Sequence, residues 1–318
     1  MDEYDVAVVG GGAAGLSAAL VLTRARRRVL VVDAGEPRNA PAAHMQGFLS
    51  RDGLSPAELL AAGRTEVATY GGQLVDGYVS GVRAGDSGFE LSLADHRIYR
   101  ARRVLVTTGL RDDLPDVPGV RERWGKDLLH CPYCHGYEVR DQALGVLGGT
   151  PDSVAHALMV RQWSDDVVYL DHGSAVTDVE RTQLAARAIP VVEGVVRRLV
   201  VEGDRLTGVD LEDGRFVPRD AVFVRPRLAP HDSLLVALGS DADENGWVVT
   251  DGTGRTSVPG VWAAGNATNP RAQVITAAGE GSAAAIAINA DLVDEDVRNA
   301  VQESSRDRLP DQPQGRLT

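Results

Sequence analysis

The stretch YDVAVVGGGAAGLSAALVLTRARRRVLVVD, residues 4–33, decides the fold class of this chain. Apolar runs at its two ends have the length and composition of buried parallel strands, and residues 16–24 have the apolar spacing of a helix. The glycines of GGGAAG (10–15) fit the pattern G-x-G-x-x-G, and Asp33 ends the second strand. The sequence therefore predicts a Rossmann-type βαβ unit that binds a dinucleotide.

Each motif position has a physical role in such a unit. Gly10 allows the tight turn, and Gly12 lets the backbone approach a pyrophosphate at the helix N-terminus. Gly15 permits close packing of helix and strand, and Asp33 can accept a hydrogen bond from a ribose hydroxyl. A Rossmann unit without a ligand is the alternative, and the complete register of strand, glycines, helix and acid argues against it.

The later segments predict an α/β protein with two Rossmann-like dinucleotide-binding domains, the first discontinuous and the second inserted into it. A second βαβ pattern runs from the strand 143–147 to the strand 167–170, and the segments after residue 222 return to the first domain. A chain of 318 residues is long enough for two cores. The predicted domains are 1–114 with 223–300, then 115–222, followed by a disordered tail at 301–318.

Composition excludes several function classes. Lys and Arg number 33 against 45 Asp and Glu, and the net charge of −12 argues against nucleic acid and anionic membranes as partners. No apolar run approaches the roughly 18 residues of a membrane helix. The chain enters a strand almost at once, without a basic leader or a cleavage site, which predicts a cytoplasmic location.

Both cysteines of the chain lie in HCPYCHGYE, residues 130–138. A CxxC pair can be a metal clip, a structural disulfide or a redox couple. Zinc would need two further ligands, and a stray histidine pair lacks the spacing of a structural site, so no metal is predicted. Two residues between the cysteines bring the sulfurs close enough to bridge and lower the pKa of the more exposed thiol. The sequence favours a redox couple.

The second dinucleotide motif departs from the first. In GGTPDS (148–153), Thr150 stands where the second motif glycine belongs, and Pro151 lacks an amide donor. After the next strand the chain has Asp171, whose carboxylate would repel a 2′-phosphate. The sequence predicts a site that no longer binds a pyridine nucleotide. A working NADH site is the alternative, because Asp171 could accept from a 2′-hydroxyl.

Taken together, these motifs resemble the low-molecular-weight thioredoxin reductase family of FAD proteins over about residues 4–290. The resemblance rests on GGGAAG, the TTG at 107–109, the CxxC before the second unit, and SVPGVWAAGN at 257–266. Within that family, CPYCHGYE together with PRNA (37–40) and HMQGFLSRDG (44–53) is similar to the flavin-dependent dithiol oxidases that close disulfides in gliotoxin, holomycin and romidepsin.

The resemblance implies an FAD site with the isoalloxazine against the CxxC. Reductases of the family have aspartate where this chain has Asn266, whose amide can still bond a ribityl hydroxyl. The residues implied in FAD binding are Gly10, Gly12, Ala13, Ala14, Gly15, Asp33, Asn39, Gln46, Thr108, Gly109, Gly265, Asn266, Gln273 and Val274.

The resemblance also implies the catalytic roles. Cys134 would be the flavin-proximal sulfur, and Cys131 the sulfur that meets the substrate. His135 stands where reductases have an aspartate, and it can both take a proton from an incoming thiol and return one. His130 could do the same from the other side. For either histidine, the alternative is a hydrogen bond to the backbone without a catalytic role.

The predicted function is oxidation of a small-molecule dithiol to an intramolecular disulfide, with O₂ as acceptor and H₂O₂ as product. An NAD(P)H-dependent disulfide reductase of the thioredoxin reductase kind is the alternative. A flavin-binding redox sensor without turnover is a third possibility, and no output domain supports it. The implied partners are the dithiol, O₂ and a second copy of the chain in a homodimer.

Overall fold

The computed structural model describes residues 3–85 and 88–306. The chain folds into two compact units. The first comprises the chain up to Gly35, Gly63–Thr108 and the chain from Asp232 on, and the second comprises Glu36–Ala62 and Gly109–His231. The chain therefore passes between the two units at 35/36, 62/63, 108/109 and 231/232. The sequence placed the limits only at 114/115 and 222/223 and assigned residues 36–62 to the first domain.

The strands and helices of the first half are β1 (Glu3–Val9), α1 (Ala13–Arg24), β2 (Val29–Asp33), α2 (Pro56–Thr69), β3 (Gln73–Asp76), β4 (Val79–Gly85), β5 (Gly88–Leu93), β6 (Ile98–Val106), β7 (Leu110–Asp113), α3 (Val120–Arg123), β8 (Leu128–Leu129), α4 (Pro132–His135), β9 (Leu144–Leu147) and α5 (Ser153–Val160). Those of the second half are β10 (Val167–Leu170), α6 (Asp178–Ala186), β11 (Val191–Val192), β12 (Val196–Glu202), β13 (Arg205–Leu211), β14 (Phe216–Pro218), β15 (Ala221–Val224), β16 (Arg227–Pro230), α7 (Ser233–Leu238), β17 (Val261–Ala263), a 3-10 turn (Gly265–Ala267) and α8 (Val274–Arg306).

The first unit is built on one sheet in the order β3-β2-β1-β6-β5-β4. Strands β1, β2, β3 and β6 are parallel, and β17 pairs with the C-terminal half of β6 while β5 pairs antiparallel with its N-terminal half. Residues of β1 and β2 are buried along almost their whole length. A parallel strand covered on both faces needs a continuous apolar run, which is why these segments read so clearly in the sequence.

Helices α1 and α8 pack against each other through small residues. A Cβ at Gly281 would lie 2.0 Å from the carbonyl oxygen of Ala14, so only glycine allows this approach. Ion pairs further tie α8 to β6, with Arg103 Nε 2.6 Å from Asp291 Oδ2 and Arg102 Nη2 2.7 Å from Glu295 Oε1.

The end of α8 differs from the prediction. The sequence predicted a disordered tail from residue 301, but the helix continues to Arg306. The segment is polar, which suggested disorder, yet it contains neither glycine nor proline, so nothing in it stops a helix that is already formed. The rest of the predicted tail, 307–318, lies outside the described residues.

The second unit has a parallel sheet in the order β11-β10-β9-β15-β8. A three-stranded antiparallel sheet, β12-β13-β14, and the antiparallel pair β16-β7 complete it. Helix α5 lies between β9 and β10 and ends at Val160. The predicted fold class, α/β with two Rossmann-like units, is confirmed. Among the described residues, no helix combines the length and apolarity needed to cross a bilayer.

The core of the second unit includes one histidine. His156 in α5 is 3% exposed, and its ring stands edge-on to Phe223 of β15 at 6.0 Å between centroids. Burial lowers the pKa of His156 from 6.5 to about 4, and the nearby His130 and Arg225 act in the same direction. The ring is therefore neutral in the folded protein at neutral pH.

Replacing His156 by phenylalanine should make the fold less sensitive to acid. The unfolded chain binds a proton near pH 6.5 and the folded chain only near pH 4, so the stabilisation is complete above pH 6.5 and is lost between these values as the pH falls. Between pH 7 and 5 this histidine should account for about 2 kcal/mol of lost unfolding free energy. Urea unfolding of both proteins at the two pH values measures the difference.

The control is H96N, because His96 is exposed and lies in a turn with φ of 70°, which asparagine tolerates. This variant should lose as much stability on acidification as the unchanged protein. An equal loss for H156F as well would contradict the assignment of this acid sensitivity to His156.

Candidate active site

The glycine loop between β1 and α1 forms an open cradle. Gly10 has φ of 107°, and a Cβ there would lie 2.5 Å from the carbonyl oxygen of Thr107. A Cβ at Gly15 would lie 1.9 Å from the carbonyl oxygen of Gly10, so this glycine is required by packing. A Cβ at Gly12 would meet no atom within 4 Å. The space over Gly12 is the approach that a pyrophosphate needs at the start of α1.

Asp33 lies at the end of β2 beside this loop. Its Oδ1 accepts a hydrogen bond from the amide of Gly11 at 3.0 Å, and its Oδ2 is 3.1 Å from Nη1 of Arg64. A carboxylate has capacity for more than two bonds, so the predicted bond to a ribose hydroxyl is compatible with both. Arg64, on α2, carries no motif and was not predicted.

A second set of predicted residues surrounds the turn after β17. Gly265 has φ of 70°, and a Cβ there would lie 3.0 Å from that of Ala14. Its amide donates to Oε2 of Glu280 at 2.8 Å. The Nδ2 of Asn266 donates to the carbonyl oxygens of Asn269 and Ala272 at 2.9 and 3.0 Å, so a bond to a ribityl hydroxyl would use Oδ1 as acceptor. Glu280 was not predicted, because its partner lies fifteen positions away.

The structure brings the predicted residues of the first unit to one edge of the sheet. The parallel strands β1, β2, β6 and β17 end at Val9, Asp33, Val106 and Ala263. The other predicted residues follow one of these strand ends or lie at the start of α1 or α8. Ligands of open α/β sheets bind at this carboxyl edge. The set is Gly10, Gly12, Ala13, Ala14, Gly15, Asp33, Thr108, Gly265, Asn266, Gln273 and Val274.

The other predicted residues belong to the second unit. Asn39 follows Arg38, which makes a bidentate pair with Asp112 at 2.7 and 2.8 Å. Gln46 sits in a loop whose backbone is closed by bonds between Met45 and residues 53 and 54. Gly109 has φ of 73° and accepts a bond from the amide of His231. These positions are grouped with Cys131, Cys134, His130 and His135.

The two cysteines form a disulfide across a short helical turn. Cys131 precedes α4, the Cα atoms are 5.2 Å apart, and Pro132 begins the helix, where a missing amide costs nothing. The amides of Cys134 and His135 donate to the carbonyl oxygen of Cys131 at 3.1 Å each. The CxxC pattern of the sequence therefore corresponds to a disulfide bond between Cys131 and Cys134.

Trp163 anchors this turn, and it was not predicted to do so. A Cβ at Gly136 would lie 2.8 Å from the indole of Trp163, so glycine is needed for the ring to approach. Tyr133, between the cysteines, meets the same indole edge-on at 5.4 Å. The aromatic contact fixes α4 from outside the disulfide.

The two histidines beside the cysteines are half-buried. Burial lowers the pKa of His130, and its Nδ1 lies 3.3 Å from the carbonyl oxygen of Val224. Burial also lowers the pKa of His135, while Glu138 acts in the opposite direction. Both imidazoles are therefore neutral at neutral pH and can accept a proton.

The loop between β9 and α5 is closed by its own side chains. The amide and Oγ1 of Thr150 lie 3.2 and 2.8 Å from Oγ of Ser153. Asp152, directly before α5, pairs through Oδ2 with Nη2 of Arg225 at 3.1 Å. The sequence predicted that Thr150 and Pro151 obstruct a pyrophosphate at this loop. The structure adds the negative charge of Asp152 directly before the helix.

Asp171 has a structural role in the turn after β10. It is 8% exposed, and its Oδ1 accepts bonds from the amides of Gly173 and Gly194 at 3.0 and 2.9 Å. The next residue, His172, has φ of 51° and accepts the amide of Val196 through Nδ1. Within residues 3–85 and 88–306, no group of three or more His, Cys, Asp or Glu could hold a metal ion.

The chain is similar to known proteins over most of its length. It is 32% identical over 305 residues to the thioredoxin reductase sirT of Leptosphaeria maculans, covering 90% of this chain and 93% of that protein. The crystal structure of HlmI superposes with a TM-score of 0.94 at 58% identity, covering 96% and 98% of the two chains. An oxidoreductase from Agrobacterium tumefaciens superposes with a TM-score of 0.87 at 35% identity, covering 92% and 99%.

The family model for pyridine nucleotide-disulphide oxidoreductases matches residues 4–281. Members of this family bind FAD, and some also use NADPH. The match includes both βαβ units and the cysteine pair. The chain therefore belongs to the pyridine nucleotide-disulphide oxidoreductase family, as an oxidoreductase of the thioredoxin reductase-like type.

Proposed function

We propose that this protein is an FAD-dependent dithiol oxidase. It oxidises a small-molecule dithiol to an intramolecular disulfide and reduces O₂ to H₂O₂. The observation that carries the proposal is the closed loop between β9 and α5. A pyrophosphate at this loop would have to break the bonds between Thr150 and Ser153 and would face the carboxylate of Asp152.

The turn after β10 supports the same conclusion. An arginine there would favour a 2′-phosphate, whereas Asp171 adds negative charge and already holds two backbone amides. Asp171 is also only 8% exposed, so little of its carboxylate is open to a ribose hydroxyl. If pyridine nucleotides cannot deliver electrons, thiols must deliver them.

The first unit supports FAD as the cofactor. The residues that would hold it are those at the carboxyl edge, with the pyrophosphate over Gly12 and the ribose at Asp33. FAD, when bound, supplies the two-electron carrier that reoxidises the cysteine pair and delivers the electrons to O₂.

The cysteine pair performs thiol–disulfide exchange. A substrate thiolate attacks Sγ of Cys131, the bond to Cys134 breaks, and Cys134 leaves as a thiolate. The second substrate thiol loses its proton and attacks the substrate sulfur of the mixed disulfide, which releases the Cys131 thiolate and the cyclic product. Two electrons have then moved from the substrate to the cysteine pair.

Neutral histidines handle the protons of these steps. His135 directly follows Cys134, and His130 directly precedes Cys131. Because burial lowers the pKa of both imidazoles, each remains a proton acceptor at neutral pH. A homodimeric assembly and a cytoplasmic location belong to the same proposal and rest on the resemblance and on the sequence.

The second candidate is an NAD(P)H-dependent disulfide reductase. It is favoured by the name of the relative sirT, a thioredoxin reductase. It would require a nucleotide to bind at the closed loop. The two functions differ in which reductant bleaches the flavin.

Anaerobic reduction should distinguish them. We expect dithiothreitol to bleach the visible flavin band and NADPH and NADH to leave it unchanged, with air restoring the colour and forming one H₂O₂ per dithiol oxidised. C134S should keep the flavin and lose turnover, and Y133F, altered between the two cysteines, should keep both. Prompt bleaching by a pyridine nucleotide would show that the protein is a reductase.

Two glycine variants should test the FAD site. G12V should fold and lose FAD, because a Cβ there meets no protein atom within 4 Å and the side chain would occupy the open space over the loop. G15V should fail to fold, because its Cβ would overlap the carbonyl of Gly10. The flavin-to-protein absorbance ratio and thermal unfolding of the purified proteins measure both effects. A G12V protein with full FAD content would contradict the assigned site.

Replacing His135 by asparagine should lower kcat/KM for dithiothreitol by about 100-fold, since general base catalysis typically contributes 10²- to 10⁴-fold. The pKa of His135 is lowered below 6.5, so the unchanged protein should keep its rate as the pH falls through 6.5 and lose it only at lower pH. H135N should lack this acid limb. Rates measured across pH, with H96N as control, test the assignment. If H135N still loses its rate at low pH as the unchanged protein does, His130 rather than His135 would be the general base.

A further inference from the structure

His156 is a buried histidine that the steps above do not use. It is 3% exposed in α5, and its Nδ1 has no hydrogen-bond partner among the described residues. An apolar side chain would fill this site beside Phe223 without burying an unpaired nitrogen. Burying a nitrogen without a partner lowers the stability of the fold, so we expect a role of His156 other than packing.

The neighbour that explains His156 is His130, whose ring lies 6.1 Å away at an angle of 56°. Burial lowers the pKa of His156, whereas the main chain of His130 acts to raise it, so the imidazole of His156 faces this main chain. Because Nδ1 has no partner, Nε2 is the nitrogen of His156 that can donate to the main chain of His130. His130 is thus held twice, through its main chain by α5 and through its ring by the carbonyl of Val224.

These contacts fix where the protons lie. The carbonyl of Val224 keeps a hydrogen on Nδ1 of His130, so the lone pair is on Nε2. The same logic places the hydrogen of His156 on Nε2. Each ring is therefore a single tautomer with one donor and one acceptor nitrogen.

The charges around the two rings keep them neutral. Arg225 acts on both, and it is itself paired with Asp152 at the start of α5. Arg38 also disfavours a charge on His130, while its partner Asp112 acts in the opposite direction. Together with burial, these groups leave His130 able to accept a proton.

We propose that His156 is a positioning residue for His130. By holding the main chain directly before Cys131, it keeps the His130 ring on Val224 and leaves Nε2 as the proton acceptor for thiols that react at Cys131. The inference rests on the proposed function, and it assigns a role in thiol chemistry to a side chain outside the CxxC motif.

Three substitutions of His156 separate the effect of its hydrogen-bond donor from the effect of the space that its side chain fills. In H156Q the amide nitrogen can reach the place of imidazole Nε2, whereas in H156N the shorter side chain reaches only the place of Nδ1. H156F keeps the ring and its contact with Phe223 and has no donor. FAD content and thermal unfolding establish that each protein is folded.

Two readouts follow His130 itself. In long-range ¹H–¹⁵N spectra, the unchanged protein and H156Q should show His130 as the Nδ1–H tautomer, and H156N and H156F should show a mixture. In the reduced protein, the pH profile of Cys131 alkylation by iodoacetamide should be retained by H156Q and altered in the other two. We also expect kcat/KM for dithiothreitol to fall about tenfold in H156N and H156F, as for a displaced catalytic group.

The outcomes are distinct. An unchanged tautomer and profile in H156F would overturn the proposal, and so would a defect in H156Q equal to that in H156F, since packing alone would then explain it. If H156F does not fold, the comparison of H156Q with H156N decides. If the unchanged protein oxidises no dithiol, the proposed function fails, while the tautomer and alkylation data still decide the role of His156.

Discussion

The contact between Gly15 and the carbonyl of Gly10 is the constraint on which the first unit depends. Only the absence of a side chain at Gly15 allows α1 to begin directly against the end of β1. That approach directs the first amides of α1 into the space over Gly12, and Gly281 brings α8 against α1 by the same device. One packing condition, met by glycines far apart in sequence, thereby produces the edge at which a dinucleotide can bind.

The second unit has the same chain order but a different local chemistry. Its loop bonds the amide and the hydroxyl of Thr150 to Ser153, and the carboxylate of Asp152 lies directly before the helix. A fold of this kind offers a phosphate site only when the donors at the helix start are left for the ligand. Under the proposed function, the two units share one topology and differ in ligand binding through side chains alone.

The parts of the structure that the sequence predicts are those set by local pattern. The βαβ units and the carboxyl edge follow from apolar runs and glycine spacing, and the CxxC pattern indicates its own bridge. The contacts that escaped prediction join residues far apart that carry no motif, such as Arg64 with Asp33 and Trp163 with Gly136. The sequence does not distinguish His156 from an ordinary core histidine, because its proximity to His130 depends on which strand packs against α5.

The contact of Trp163 with the CxxC turn has a consequence for the chain entropy of the proposed redox cycle. The disulfide closes a loop with a sequence separation of only three, so it restricts the unfolded chain far less than a long-range bridge would. The turn is also held by the bond from the amide of Gly136 to Pro132 and by the indole. Breaking the disulfide therefore releases little conformational freedom, and the cysteines can open and close many times without the surrounding fold being rebuilt.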